Sequence, residues 1–478
     1  MNRKTNYRDK EHLNETFADF MVKTGYHMVE NYRMVKPNFP AAVKSILKYD
    51  RPQPVLNLDS WSISMYFLHR HFSPFLLGSS MISFQEAKDA SEKQSATGYP
   101  TNIKFSTKAQ CYTDPYFSFD EYFEKYWYQL AEPEMCMRPI WTCAQKVELR
   151  LVSKLRENKI RTFTASAMEH SLALNMFCFD FNNRSYGSNN RTWSCVGMTK
   201  YLGMWDRLYH RLNRHKKGWA LDIGTFDASM FRAALEGQRD FRWEMMEEKF
   251  KTDENKQRFW NLYRDIIYSC IVMDDGTLLM KLTGNPSGSA NTVVDNTMIL
   301  FRLLAYCWIE NVNSEYEDFQ RFVEAALYGD DNTFTSAHPK YNAIAIRDTL
   351  QKLLIEVTTD HWEERPLKEL DFLSNDFVWH DEHEMYLPGS REDRVLCSLK
   401  YGSGLNDIRW HYLRACNLRT DSWGNPKLRK IVQGYIEYLT KNYIDQLVGV
   451  VNGKNISEIM AMYKTDRELK IIYTGFEL

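Results

Sequence analysis

Residues 325–334 read ALYGDDNTFT. Small, apolar and β-branched residues flank a Gly-Asp-Asp core, the pattern of two strands joined by a tight turn. Gly329 supplies the backbone freedom such a turn asks for. Asp330 and Asp331 then bring two like charges to its tip. Carboxylates crowded in this way repel unless a proton or a cation relieves them. A hard divalent cation takes oxygen ligands, typically one or two carboxylates. The tip therefore reads as a metal platform, with a solvent-exposed turn as the plain alternative. The chain carries its own control for that alternative. CIVMDDGTLLMKL (270–282) also reads as a hairpin, and its Asp274–Asp275–Gly276 step is an ordinary turn signal with no other chemistry nearby.

A platform needs ligands from a second element. WALDIGTFDASMF (219–231) reads as a strand, a turn and a helix start. Asp222 ends the apolar strand, a rigid support for a carboxylate. Asp227 lies five residues on, past Gly224, and can face another part of a ligand. GNPSGSANTVVDN (284–296) adds a loop in which Gly284 and Gly288 allow close backbone approach. Thr292 and Asn296 then fall at i and i+4 on one helix face, where polar groups could reach a sugar hydroxyl. Ordinary capping of that helix is the competing reading.

Formal net charge is −1, so charge must be read locally. The densest basic run, AQKVELRLVSKLRENKIR (144–161), holds Lys146, Arg150, Lys154, Arg156, Lys159 and Arg161 against Glu148 and Glu157. A second run covers 207–219. A solvated helix face is the competing reading for the first. Nine cysteines without a CxxC pair argue against a zinc ribbon and suit free thiols in a reducing compartment. No GxxxxGK[ST] occurs, which excludes a phosphate-loop helicase. The polar start, MNRKTNYRDKEHLNETF, lacks the apolar core of a signal peptide. NTMILFRLLAYCWI (296–309) is short for a membrane span, contains Arg302, and is expected to be a buried helix. A soluble, cytosolic protein without a transmembrane segment is expected.

The remaining pattern is a β-rich centre with helical ends. Helices are expected over 232–268, from the 283–290 loop to about 311, near 315–325, over 341–356 and over 425–451. A hairpin is expected over 370–390.

Taken in order, the Asp222/Asp227 segment, SGxxxTxxxN (287–296) and YGDD (328–331) resemble motifs A, B and C of viral RNA-dependent RNA polymerases of the picornavirus-like and astrovirus-like supergroup. KVELRLVSKLRENKIRTFTAS (146–166) resembles motif F, SATGYP (95–100) motif G and FLS (372–374) motif E. The resemblance covers about 90–390; the ends are assigned by position. It implies an α+β right hand of fingers, palm and thumb, the palm being an antiparallel sheet flanked by helices. The implied bounds are fingers 1–215, including an index-finger or fingertip N-terminal region, palm 216–235, a fingers insertion 236–283, palm 284–385 and thumb 386–478.

The resemblance also implies roles. Asp222, Asp330 and Asp331 would hold two magnesium ions, with manganese as a substitute. Asp227 and Asn296, helped by Ser287 and Thr292, would recognise the ribose 2′-hydroxyl. Lys146, Lys159 and Arg161 would meet the triphosphate, while Arg150 and Lys154 would hold template or brace the loop. Thr97, Gly98, Tyr99, Pro100 and Gly288 would guide RNA, and Phe372, Leu373 and Ser374 would support the primer terminus. His361 stands where relatives carry a motif D lysine, with Lys368 as a rival and a plain structural histidine as the alternative. Motif E lacks the usual basic pair, having Ser374 and Asn375. His380 and His383 in HDEH read as a solvated turn sooner than a metal site. The implied partners are RNA template, primer or product, nucleoside triphosphates, a protein primer and other viral replication proteins. The implied location is host cytoplasm, at membrane-associated replication complexes through partners, or the virion for a double-stranded genome. A reverse transcriptase and a catalytically dead RNA-binding palm are the rivals. Asp227 and Asn296 argue against the first, the intact acids against the second.

Overall fold

Trp219 lies opposite Phe334 across an antiparallel ladder, their rings stacked 5.3 Å apart. Cross-strand aromatic pairs of this kind pin a register, because a one-residue slip would turn both rings to the wrong face. The ladder joins Lys217–Ile223 to Asp331–Ser336, which pairs in turn with Val323–Tyr328. Val357–Thr358 and Arg365–Pro366 add to the free side of Lys217–Ile223. Beneath this sheet runs helix Thr292–Asn311, apolar on nearly all sides and buried along nearly its whole length. A helix apolar all round belongs in a core or a bilayer, and here protein covers it. Its twenty residues exceed the expected 296–309, yet the expectation of a buried helix holds. Arg302 within it donates Nη2 to Trp61 O at 2.9 Å, lies over the Trp61 ring at 3.5 Å, and is held by burial to a pKa of about 9. Helices Leu58–Leu76, Arg232–Met245 and Ala343–Lys352 complete this central core.

The structure, a computed structural model, describes residues 11–134, 138–447 and 462–475. Two further large cores flank the centre. One gathers helices Phe119–Gln129, Met168–Gly187 and Asp253–Ile267 against a four-stranded sheet. That sheet contains Ile140–Gln145, Thr162–Ala165, Cys270–Val272 and Leu278–Met280. The other packs helices Glu392–Lys400, Ile408–Asp421 and Pro426–Leu447 around Glu15–Thr24.

That last partner lies in the N-terminal region of the expected 1–215 segment. Phe17 and Phe20 pack on Tyr435, and His12–Leu13 pairs with Tyr401–Gly402. Asn14 donates Nδ2 to Leu399 O and to the Tyr435 hydroxyl, both at 2.9 Å. A few residues later Tyr32–Met34 pairs with Leu149–Leu151 of the basic segment. Residues 11–34 thus bridge the C-terminal helices to the basic segment.

Other boundaries also shift. The expected 232–268 helix is two helices, because Thr252 caps a new start at Asp253. The expected 370–390 hairpin is a three-stranded sheet of Asp371–Phe372, Asn375–His380 and Met385–Ser390. The 341–356 helix is confined to Ala343–Lys352. Helix Pro426–Leu447 is broken at Tyr443, and residues 448–451 of the expected helix lie outside the described residues, as does Cys136.

Candidate active site

The aromatic register sets what meets at the sheet's end. Leu221 pairs with Asn332, so one step further along the same ladder brings Asp222 opposite Asp331. Directly opposed strand residues have Cβ atoms about 4.5–5.5 Å apart. Gly329, at φ +65°, makes the two-residue turn that adds Asp330. The Gly329 N–H donates to Thr297 Oγ1 at 2.8 Å, tying the tip to the buried helix. Asn332 Nδ2 donates to Leu221 O and Asp330 O, both at 3.0 Å, tying it to the neighbouring strand.

The electrostatics are those of crowded acids. Surrounding protein first, then Asp330, Asp371 and Asp222, push the Asp331 carboxyl up to about 6. Burial and Asp222 raise Asp330, against the lowering effect of Arg161 and Lys146. Asp227 is pushed to about 6 by burial, with Asp330 adding to the rise and its Asn296 hydrogen bond opposing it. An all-oxygen set held in this state fits a hard divalent cation, which relieves the repulsion that burial intensifies.

Around the acids, two expected cations are in range. Lys146 and Arg161 stabilise the charged forms of Asp227 and Asp330. The Lys146 N–H bonds Arg161 O at 2.9 Å, so both leave one end of the basic hairpin. Lys159 pairs with Glu157. Arg150 donates Nε to Lys159 O at 2.6 Å and lies opposite Arg33, bracing the loop. Lys154 is exposed on a short helix beside them.

The expected sugar-recognition pair forms. Asn296 Nδ2 donates to Asp227 Oδ1 at 2.6 Å, and Asn285 Nδ2 donates to Asn296 Oδ1 at 2.9 Å. Thr292 takes a different part: its hydroxyl donates to Pro286 O at 2.8 Å and folds the loop. Ser287 is half-buried in that loop. A Cβ on Gly288 would stand 2.1 Å from Thr164 O, so this glycine packs the loop onto the basic segment's last strand. The helix start itself is braced by a buried ion pair. Arg242 Nε donates to Asp295 Oδ1 at 2.7 Å, and the Tyr263 hydroxyl donates to Asp295 Oδ2 at 3.0 Å.

Several expected RNA contacts turn inward. Thr97 is fully buried, donating to Phe105 O at 3.1 Å, and Gly98 lies against Ser166 and Ala167. Tyr99 and Pro100 are accessible. Phe372 is buried against Trp205, leaving only its neighbours at the surface. Leu373 and Ser374 both have positive φ, the two central residues of a tight hairpin turn. They line a cavity of about 640 Å³ with Lys200, Arg391, Arg394 and Trp410. His361 is exposed three residues past Thr358, which pairs with Asp222. His361 is held by its backbone to Thr359, and the structure gives its side chain no contact with the acids. His380 and His383 stack nearly parallel at 4.7 Å. With Glu382 they bring one ligand atom each to within 4.8 Å of one another, a grouping the expected solvated turn did not include.

The sequence reading missed the segment at 47–51. Tyr49 covers Gly284, and its hydroxyl lies 3.4 Å from Asn285 O. Arg51 donates Nη2 at 2.8 Å to Thr225 Oγ1, bracing a residue held at φ +48° between Asp222 and Asp227. Lys48 joins Arg150 and Lys159 in one cationic patch, and burial first, then those neighbours, lower its pKa. Two lysines and an arginine around Tyr49 (KSILKYDR, 44–51) were the available signal.

Comparison with known proteins agrees with this geometry. The profile described as viral RNA-dependent RNA polymerase matches residues 15–440. The genome polyprotein of Plum pox potyvirus (isolate NAT) is 30% identical over 354 residues, 72% of this chain and 10% of that one. That of Watermelon mosaic virus II (isolate USA) is 30% identical over 342 residues, covering 70% and 32%. The chain thus spans about a tenth of the length of the first of these relatives. In structure it is similar to the Sicinivirus 3Dpol RNA dependent RNA polymerase, with a TM-score of 0.76 at 14% identity and 96% of each chain covered. That likeness establishes the α+β polymerase fold. By the extent of the profile match and by its relatives, the chain belongs to the family of viral RNA-dependent RNA polymerases.

Proposed function

We propose that this chain copies RNA into RNA for replication and transcription of a viral genome. The growing strand's 3′-oxygen bonds to the α-phosphorus of a ribonucleoside triphosphate, the bond to the β-phosphate's bridging oxygen breaks, and pyrophosphate leaves. One observation carries this reading: Asp222, Asp330 and Asp331 converge at the end of one ladder, facing Lys146 and Arg161. The family uses divalent metal ions. We assign the three aspartates to two magnesium ions, with manganese as a substitute. When bound, such ions favour the deprotonated 3′-oxygen and offset charge on the leaving oxygen.

The protein's own groups do the positioning. Arg161 offers a fork of donors to phosphate oxygens and Lys146 a point charge. The Asp227–Asn296 pair presents polar atoms where a ribose would lie, and the 2′-hydroxyl is what separates ribonucleotides from deoxyribonucleotides. That pair disfavours a reverse transcriptase. The cavity beside Leu373 and Ser374, with its arginines and Trp410, suits the product strand's backbone and bases. Viral replication proteins as partners, and host cytoplasm as the site of action, belong to this proposal as well.

The test is incorporation of labelled nucleotides on a homopolymeric RNA template, with and without primer, in magnesium or manganese. We expect template-dependent use of ribonucleotides that a chelator stops. Equal use of deoxyribonucleotides, or no incorporation under any of these conditions, would overturn the proposal.

A further inference from the structure

Lys281 is a buried lysine with no acidic partner among the described residues, and only 4% of its surface is exposed. Its Nζ lies 2.7 Å from Ile266 O, 2.8 Å from Ile267 O and 2.5 Å from Gly284 O. The first two are the last carbonyls of helix Asp253–Ile267, where a cation is favoured. Burial works against the charge. The three acceptors decide for it: an ammonium has three donors, whereas a neutral amine has two and would aim a lone pair at the third carbonyl. The Tyr49 ring, 5.5 Å from Nζ, adds its face.

The third carbonyl matters for function. Gly284 and Asn285 begin the loop that leads into helix Thr292–Asn311, which carries Asn296. A Cβ on Gly284 would stand 2.5 Å from the Tyr49 ring, so the glycine is clamped between that ring and the Lys281 ammonium. The Gly284 N–H donates to Met230 O and the Asn285 N–H to Asp227 O, both at 2.8 Å. Asn285 then holds Asn296, and Asn296 holds Asp227. A continuous chain of contacts runs from Nζ to the carboxylate assigned to the ribose.

We propose that Lys281 is a positioning residue for sugar selection, fixing the Gly284–Asn285 backbone so that the Asn296–Asp227 pair meets the 2′-hydroxyl. This rests on the polymerase reading above. It differs from that reading in predicting a loss of discrimination from a residue that touches neither substrate nor metal.

The experiment is primed extension on an RNA template, with kcat and KM measured separately for ATP and dATP. The proteins are the wild type, Lys281→Met, Lys281→Gln, Asn296→Ala and the Lys281→Met/Asn296→Ala double variant. We expect Lys281→Met to lower the ATP-over-dATP ratio of kcat/KM by about tenfold, with ATP bearing most of the loss. Lys281→Gln, with two donors, should fall between it and the wild type. In the Asn296→Ala background, Lys281→Met should change the ratio no further, because both act on one pair. A parallel fall for both nucleotides, or a ratio unchanged in Lys281→Met, overturns the inference. Should Lys281→Met fail to fold, the Lys281→Gln ratio decides in the same way. A wild type that prefers ATP while the variants keep that preference sinks this inference alone. A wild type that incorporates neither nucleotide sinks the polymerase reading with it.

Discussion

Two Asp-Asp steps sit at two hairpin turns in this chain and behave in opposite ways. At Asp274–Asp275 the turn faces solvent. Asp275 accepts hydrogen bonds from the Thr277 N–H at 2.9 Å and hydroxyl at 2.8 Å, which hold its carboxyl below the usual range. At Asp330–Asp331 surrounding protein and a third acid push the carboxyls up. Both turns carry the same residue pair and a glycine. What differs is the strand alongside. Asp331 is delivered by register beside Asp222, whereas among the described residues Asp275 bonds to Thr277 of its own turn. A charge pair becomes a site through what the ladder places opposite it.

The comparison can be broken most sharply by substitution. Asp330→Asn should lower RNA synthesis at least about a thousandfold while RNA binding stays near normal. Asp275→Asn should leave synthesis within about twofold of the wild type. Comparable losses from both would mean that the two turns are not distinct. Removing the ring that pins the register is the next largest test. Phe334→Ala should cost about 3–5 kcal/mol in denaturant unfolding, with lost synthesis in whatever remains folded. A small cost would mean that the register is set elsewhere.

Divalent cation should tell the turns apart without catalysis. At a hundredfold excess over Kd, magnesium should stabilise the wild type and Asp275→Asn by about 2.7 kcal/mol. Asp330→Asn should gain much less. An equal gain in all three would remove the tip from the metal site. The smallest effect is in pH. Asp331 titrates near 6 in the folded chain, above its ordinary value. The folded state therefore keeps a proton that the unfolded chain has lost, and stability falls as pH rises from about 4 to 6. In chelator, Asp331→Asn should melt about 1–2 °C above wild type at pH 7.5, with the gap closing by pH 4.5. Asp275, with its carboxyl lowered, should do the reverse. Asp275→Asn should melt slightly below wild type at pH 7.5, and the gap should vanish as acid protonates the group. The same sign at both turns would refute the contrast.

Much of the site was legible because its parts are local. A glycine before two acids, an acid closing an apolar strand, and polar residues at helical spacing each announce a backbone shape and an exposed chemical group. Asp222, Asp330, Asp331, Asp227 and Asn296 were found in this way. Periodicity, however, gives a residue's face and not the neighbour it meets. Thr97, Thr292 and Phe372 sit in the expected segments, yet their side chains serve the scaffold, since a loop that must hold a shape spends some polar groups on itself. Tyr49, Arg51 and Lys281 escaped notice for the converse reason. Each acts across more than a hundred residues or from a buried position, and nothing in its own stretch marks it. The helix at Glu15–Thr24 was equally opaque: its apolar stripe calls for a partner without saying that the partner lies at the other end of the chain.

That helix has a mechanical consequence. Through residues 11–34 the C-terminal helices are laced to the strand carrying Arg150, by a β pairing at each end of the span. The two regions are thus tied to each other through one short stretch of chain. Moving the C-terminal helices away from the basic segment would therefore require one of these two pairings to break.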